Sequence, residues 1–198
     1  MKINWIIPVN HTDYNRMPAS VWIRCLQLIP YLAKAGVHSE INNPDSEAST
    51  VVFVRNQSLE SRALAKRFRD RGKKIVFDLC VNYFDRSTLK NLGSPVQDKH
   101  IEECLGMLEM TDCVTCASSN IAERARMFHP NVHYLPDSVD LSHFNRLKTP
   151  DDFLRGQLCA IWSGQWDKAV ELRPILGDLK KRNIRLKLIT NKQFRLSS

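Results

Sequence analysis

The stretch that decides the fold runs from residue 50 to residue 79, TVVFVRNQSLESRALAKRFRDRGKKIVFDL. It opens with a continuous β-branched run over residues 50–54, which is typical of a strand buried on both faces of a parallel sheet. Residues 59–71 repeat apolar side chains at helical spacing, and Gly72 predicts the end of that helix. A second apolar run follows over residues 74–79. A strand, a helix and a strand in this order predict one parallel β-α-β unit.

The same alternation continues on both sides of this unit. Further strands are predicted over residues 3–7, 37–41, 113–117, 132–135, 158–162 and 184–189, and further helices over residues 18–35 (kinked at Pro30), 98–110, 120–127 and 168–181. We therefore predict an α/β protein with a Rossmann-like, doubly wound parallel sheet.

A polar stretch divides this pattern into two predicted domains. We predict an N-terminal Rossmann-like domain over residues 1–146, a linker over residues 147–157 and the start of a second domain over residues 158–198. One β-α-β unit cannot bury both faces of its sheet, so we expect the second domain to be incomplete within this chain.

The composition is that of a globular protein, with 43% hydrophobic and 25% charged residues among 198. The net charge of +8 favours anionic partners: nucleic acid, anionic lipid or phosphorylated ligands. Two basic clusters, residues 62–74 and 180–187, lack the interleaved aromatics of a single-strand platform, which argues against nucleic acid. They are interpreted as solvated helix faces or as a surface attracted to membranes. The sequence contains neither a signal peptide nor a bilayer-spanning run, so we expect a cytosolic protein, or one peripheral on the inner membrane surface.

Metal and cofactor sites are not expected. Cys113 and Cys116 form a CxxC, but strand alternation would place them on opposite faces, which makes a poor chelate. Pro130 breaks any helix between His129 and His133. The sequence contains neither a glycine-rich dinucleotide fingerprint nor a phosphate-binding Walker A motif.

Four segments carry a further pattern. They are residues 18–32 (PASVWIRCLQLIPYL), 73–78 (KKIVFD), 111–122 with 132–140 (TDCVTCASSNIA and VHYLPDSVD), and 160–168 (AIWSGQWDK). In this order they resemble the family 4 glycosyltransferases and their relatives with the glycosyltransferase-B fold. The resemblance implies transfer of a sugar from a nucleotide-sugar donor to a glycan or lipid-linked acceptor, with retention of anomeric configuration. It also implies an acceptor-binding N-terminal domain, a donor-binding second domain and no cofactor besides the nucleotide-sugar substrate.

On the acceptor side, the end of the central strand supplies the first candidates. Asp78 is the predicted catalytic residue, which would orient an acceptor hydroxyl or stabilise developing positive charge; the alternative is a cap for the next segment. Asn82 and Tyr83 are predicted to bind the acceptor by hydrogen bonding and stacking, or else to pack on the loop. Ser20 and Arg24, near the start of the first helix, are predicted to bind the acceptor. Arg24 would reach an acceptor phosphate, or form an ordinary surface ion pair.

On the donor side, Gly164, Gln165 and Lys168 are the predicted binding residues. Lys168 lies near the start of a predicted helix, where backbone N–H groups and the helix dipole favour a diphosphate; the alternative is a solvated lysine. Gln165 stands where family members often carry an arginine.

Two other functions remain open. The family's acidic donor-binding pair, two glutamates deep in the second domain, is missing from this chain, which favours a truncated, non-catalytic carbohydrate- or partner-binding fragment. The third hypothesis is a Rossmann-type binding protein unrelated to sugars and acting on nucleic acid, which the scattered basic residues disfavour.

Overall fold

A computed structural model describes residues 1–8, 17–84, 98–140, 158–164 and 166–190. The chain divides into two compact units, Met1–Asp140 and Leu141–Ser198. The predicted linker, residues 147–157, lies outside the described residues, so the exact domain limits stay a prediction.

The first unit is built on one parallel sheet. Its strands are β1 (Lys2–Ile6), β2 (His38–Ile41), β3 (Thr50–Val54), β4 (Lys74–Leu79), β5 (Cys113–Cys116) and β6 (Val132–Tyr134). They are hydrogen-bonded in the order β2-β1-β3-β4-β5-β6, and every pairing is parallel. The α/β, Rossmann-like fold is therefore confirmed. The chain leaves β1 to one side for β2 and then crosses back to β3, so the carboxyl ends of β1 and β3 flank the topological switch point, where such sheets normally bind ligands.

The helices of this unit are α1 (Ala19–Val21), a π-helical turn (Trp22–Leu26), α2 (Ile29–Lys34), α3 (Leu59–Asp70), α4 (Asp98–Leu108) and α5 (Ser119–Ala125). The prediction of an α-helix across residues 22–26 is wrong, because the Gln27 N–H bonds to the Trp22 carbonyl at 3.0 Å and so closes a wider turn. Pro30 lies in the first turn of α2, where the missing N–H costs no helical bond. No helix in the described part of the chain combines the length and the apolar character needed to cross a bilayer.

Two apolar layers cover the two faces of the sheet. Val51 and Phe53 point into the layer shared with α3, α4 and α5, while Val52 and Val54 point into the layer beneath α1 and the π-helical turn. The same alternation along β4 buries Ile75, Phe77 and Leu79 in the first layer. Asp78 consequently faces the side that the first helical segments cover.

The second unit contains β7 (Cys159–Gly164), a 3-10 helix (Trp166–Leu172), α6 (Arg173–Lys181) and β8 (Arg185–Thr190), with β7 and β8 parallel. The prediction of a single α-helix over residues 168–181 is wrong in its first half. Pro174 lies in the first turn of α6, and its ring has no N–H to bond back to the preceding turn. One face of the two-stranded sheet stays open: Ile161 and Ile189 are 64% and 51% exposed.

Candidate functional site

A buried ion pair lies at the carboxyl end of β4. The Arg24 Nε and Nη2 atoms donate to Asp78 Oδ2 and Oδ1 at 2.7 and 2.6 Å. The residues are 5% and 3% exposed. Burial lowers the pKa of Arg24, but hydrogen bonds and Coulombic attraction from Asp78 and Asp137 outweigh it, so the net shift is upward and the guanidinium stays charged.

Three further groups complete this network. Thr115 Oγ1 donates to Asp78 Oδ1 at 2.5 Å, because parallel pairing sets these two residues side by side on β4 and β5. Arg24 Nη1 donates to the Leu135 carbonyl at 2.7 Å and to Asp137 Oδ1 at 2.9 Å. The network therefore joins the π-helical turn, two strands and the segment that follows β6.

The network leaves little unused hydrogen-bonding capacity in either partner. Asp78 accepts from two guanidinium nitrogens and a hydroxyl, and four of the five guanidinium N–H bonds of Arg24 are engaged. The alternative of a surface ion pair for Arg24 is wrong, because both side chains are buried. A buried, hydrogen-bonded Arg24–Asp78 pair of this kind holds the π-helical turn against β4. A catalytic Asp78 and a phosphate-binding Arg24 stay predictions.

Arg55 is a residue that the sequence reasoning missed. It follows β3 at the switch point, and its Nη1 and Nη2 donate to Ser20 Oγ at 3.0 Å and to the Tyr83 hydroxyl at 2.8 Å. Its guanidinium carbon lies 5.9 Å from the centre of the Tyr83 ring, a cation–π distance. Two predicted acceptor residues, Ser20 and Tyr83, thus meet through Arg55. Its position in the sequence could have indicated it, because Arg55 is the first residue after a buried strand. Asn82 and Tyr83 were predicted as site residues for the same kind of reason, since they follow β4.

Two residues between β4 and Tyr83, Cys80 and Asn82, are also shielded from solvent to different extents. Asn82 is 5% exposed, so the predicted acceptor residue is mostly buried. Cys80 is half-buried; burial raises the pKa of its thiol, while a hydrogen bond from Ser20 and the charge of Arg55 act in the opposite direction. Ser20 and Arg55 therefore both act on the pKa of the Cys80 thiol.

A small pocket adjoins the ion pair. Its volume is about 110 Å³, and it is lined by Ile23, Arg24, Leu28, Leu135, Pro136, Asp137 and Ser138. Gln27 Nε2 donates to the Ser138 carbonyl at 2.6 Å and ties the same segment to the first helical region. Pockets that enclose a drug-sized ligand measure roughly 300–1,000 Å³, so this one holds at most a small group or a few waters.

The predicted donor residues lie in the second unit. Gly164 ends β7, and a Cβ atom there would lie 2.7 Å from the Trp162 ring, so a larger residue would require the ring to shift. Lys168 is exposed within the 3-10 helix and not at the start of an α-helix. Gln165 lies outside the described residues. A donor-binding role for these residues stays a prediction.

The cysteines and histidines considered as metal ligands pack or form hydrogen bonds within the fold. Cys116 is packed in the core, whereas Cys113 is only half-buried. Buried His129 Nε2 lies 3.1 Å from the Thr111 carbonyl, and its Nδ1 accepts from the Asn131 N–H at 3.1 Å. Within the described ranges, no group of three or more His, Cys, Asp or Glu residues is placed to hold a metal ion.

Comparisons with known proteins add no assignment. No family model matches the chain, and no curated protein matches it. The resemblance drawn from its four sequence segments is therefore untested by comparison, and the function has to be argued from the site itself.

Proposed function

We propose that the protein is a glycosyltransferase, or part of one, which transfers a sugar from a nucleotide-sugar donor to a glycan or lipid-linked acceptor. One observation carries this proposal. Arg24, Asp78, Thr115 and Asp137 come from the first three of the segments that resemble such enzymes, and they meet in one hydrogen-bonded network. The three segments lie far apart in the sequence, and their meeting around one buried ion pair supports a shared role for them.

The acceptor would bind at the carboxyl edge of the first unit. Tyr83 offers a ring for stacking against a sugar face, and Ser20 offers a polar group for its hydroxyls, whereas Asn82 is mostly buried. The Arg24–Asp78 pair would hold the surrounding segments in place, because an ion pair with two hydrogen bonds fixes both distance and orientation. Pre-set geometry of this kind lowers the entropic cost of orienting a bound acceptor.

The donor would bind to the second unit. A leaving diphosphate needs cationic or N–H partners, and exposed Lys168 lies four residues beyond Gly164 in the helical segment that follows β7. No metal or organic cofactor is part of the proposal. The net charge of +8 would also suit an enzyme working beside an anionic membrane that carries its acceptor.

The direct test is transfer itself. The purified chain is incubated with a panel of nucleotide-sugars and an extract of glycans and lipid-linked sugars, and products one sugar heavier are sought by mass spectrometry. We expect transfer from one donor, reduced about tenfold or more in Lys168→Gln through lost diphosphate stabilisation. Lys180→Gln is the matched control, because Lys180 is also exposed in the second unit, and it should keep wild-type activity. Absence both of transfer and of binding to every donor in the panel would contradict the proposal, because part of such an enzyme could bind a donor without transferring its sugar.

A second candidate function is a non-catalytic, carbohydrate- or partner-binding module. The engagement of Asp78 by three donors favours it, since a saturated carboxylate is poorly placed to exchange protons. This candidate predicts glycan binding on an array with no release of nucleotide from any donor. Transfer in the mass-spectrometric assay would exclude it.

A further inference from the structure

We propose that Arg55, together with the hydroxyls of Ser20 and Tyr83, forms a binding site for a phosphoryl group. The inference rests on the proposed function in taking this group to belong to the acceptor: the enzyme would act on a phosphorylated sugar or on a lipid-linked sugar phosphate. Its physical content, an anion site at Arg55, can be tested without any sugar transfer.

The first argument is charge. Arg24 and Arg71 each form an ion pair with a carboxylate, Asp78 and Glu47 respectively. Among the described residues, no carboxylate forms an ion pair with Arg55, whose two side-chain hydrogen bonds go to neutral hydroxyls. The residue is only half-buried. Within the described part of the chain, this cation is therefore held in place by neutral groups, and arginine is particularly suited to bind phosphate.

The second argument is the number and arrangement of donors. Each hydrogen bond of Arg55 uses one of the two protons on a terminal nitrogen, so described residues engage neither the other proton on each nitrogen nor the Nε–H. Tyr83 accepts from Arg55, which leaves its own hydroxyl proton for another acceptor, whereas the Ser20 hydroxyl also forms a hydrogen bond with the Cys80 thiol. A guanidinium beside two hydroxyls supplies donors in several directions, which suits a tetrahedral phosphoryl group better than a planar carboxylate.

The third argument is position. Arg55 follows β3 at the switch point of the sheet, where ligands bind in proteins of this architecture. Its φ angle is +50°, a left-handed conformation that is strained for a residue with a side chain. Its N–H is held by the Asp78 carbonyl at 3.2 Å. Strained backbone that the surrounding structure maintains is commonly associated with binding sites.

The test is a titration of the full chain with inorganic phosphate, followed through the backbone amides and the Arg55 Nε–H in two-dimensional NMR spectra. We expect saturable shifts confined to residues around Ser20, Arg55 and Tyr83, with acetate binding at least tenfold more weakly. Arg55→Gln should raise the Kd at least tenfold. Arg71→Gln is the matched control, because Arg71 also lies over an aromatic ring, Phe68 at 5.8 Å, and it should bind phosphate as the wild type does.

Two milder variants keep the test decisive if Arg55→Gln does not fold. Tyr83→Phe and Ser20→Ala each remove one hydroxyl, and each should raise the Kd about threefold to tenfold. The inference is overturned if these variants and Arg55→Gln bind phosphate like the wild type, or if acetate binds equally well. It is also overturned if phosphate shifts no signal near Arg55.

Two further experiments distinguish a soluble from a lipid-linked source of the phosphoryl group. A soluble sugar phosphate should compete with inorganic phosphate if the acceptor is soluble, whereas vesicles of phosphatidylglycerol, and not of phosphatidylcholine, should retain the chain in an Arg55-dependent way if it is lipid-linked. Phosphate binding at Arg55 with neither sugar transfer nor binding of any nucleotide-sugar would support the site and contradict the glycosyltransferase proposal. If the Arg55→Gln variant still transfers sugar to an unphosphorylated acceptor, the glycosyltransferase proposal stands and the phosphoryl site at Arg55 is contradicted.

Discussion

Arg24 and Asp78 lie 54 positions apart in the sequence and face each other through two hydrogen bonds of 2.6 and 2.7 Å. Arg24 belongs to a π-helical turn and Asp78 to the central strand β4. Wider turns of this kind occur often at functional sites. Because Arg24 also binds the Asp137 carboxylate, the pair fixes three separate segments around one end of the sheet.

The first prediction concerns this pair. Asp78→Asn or Arg24→Met should each lower the free energy of unfolding by about 3–5 kcal/mol, because each leaves one buried charge without its partner. The double variant should lose less than the sum of the two. Urea unfolding measures the effect. Lys66 and Asp70 form an exposed control pair, in which Lys66→Met or Asp70→Asn should lower the free energy of unfolding by about 0.5 kcal/mol or less. Unchanged stability of Asp78→Asn would contradict the prediction.

The second prediction concerns the backbone of Arg55. Since its φ angle is +50°, Arg55→Gly should be more stable than Arg55→Ala by about 1 kcal/mol, although both lose the bonds to Ser20 and Tyr83. The comparison isolates strain because the two variants differ only in a Cβ atom. Urea unfolding of both measures it, and an alanine variant as stable as the glycine variant would show that the strain is absent.

The third prediction compares two glycines of the second unit. Gly164→Ala should destabilise by about 1–3 kcal/mol, because the new methyl would lie 2.7 Å from the Trp162 ring. Gly177→Ala, within α6 and with open space around it, should stabilise by about 0.5–1 kcal/mol. Thermal unfolding of both variants shows whether each substitution lowers or raises the stability. A Trp162→Leu background should reduce the cost at Gly164, and equal costs in both backgrounds would show that the ring is not the obstacle.

The fourth prediction is a loss of stability in alkali. Burial raises the pKa of Cys25 and Cys104 to about 12 and that of Cys116 to about 11, from an ordinary 9.0. The fold therefore favours the neutral thiols, and their contribution is complete below pH 9. It is lost as the pH rises from 9 towards 12 for Cys25 and Cys104, and towards 11 for Cys116, by about 1.4 kcal/mol per pH unit for each thiol, because only the unfolded thiols ionise over this range.

Urea unfolding at a series of alkaline pH values checks this slope, with Cys104→Ala expected to make it shallower by one thiol's contribution. Alkylation with iodoacetamide at pH 8 gives a second readout. Exposed Cys159 should be labelled at once, whereas Cys25, Cys104 and Cys116 should react only as the chain unfolds. Labelling of all four at the same rate would refute the assigned burial.

Much of the fold could be predicted from local pattern. The continuous apolar run Thr50–Val54 has no polar face, so it belongs inside a parallel sheet, and β3 has these limits. Gly72 ends α3 with φ at +73°, which a glycine adopts without strain. Ser118 caps α5 by accepting from the Ile121 N–H at 3.2 Å. Each of these features depends on residues close together in the chain.

The parts that local pattern could not supply depend on contacts between distant residues. Nothing near Asp78 in the sequence indicates that Arg24 neutralises it, because that depends on which helix covers which face of the sheet. Arg55 was missed for the same reason: its partners, Ser20 and Tyr83, lie 35 and 28 positions away. The π-helical turn also gives no clear signal, since its residues are ordinary α-helix formers.

The most direct test of nucleotide-sugar recognition is an NMR titration of the labelled chain with a panel of nucleotide-sugars. The proposed function predicts that one of them causes saturable shifts at the Gly164 amide and along the 3-10 helix Trp166–Leu172, and that Lys168→Gln weakens its binding about tenfold. If no nucleotide-sugar shifts these signals at millimolar concentration, the protein does not bind an activated sugar there and the glycosyltransferase proposal fails.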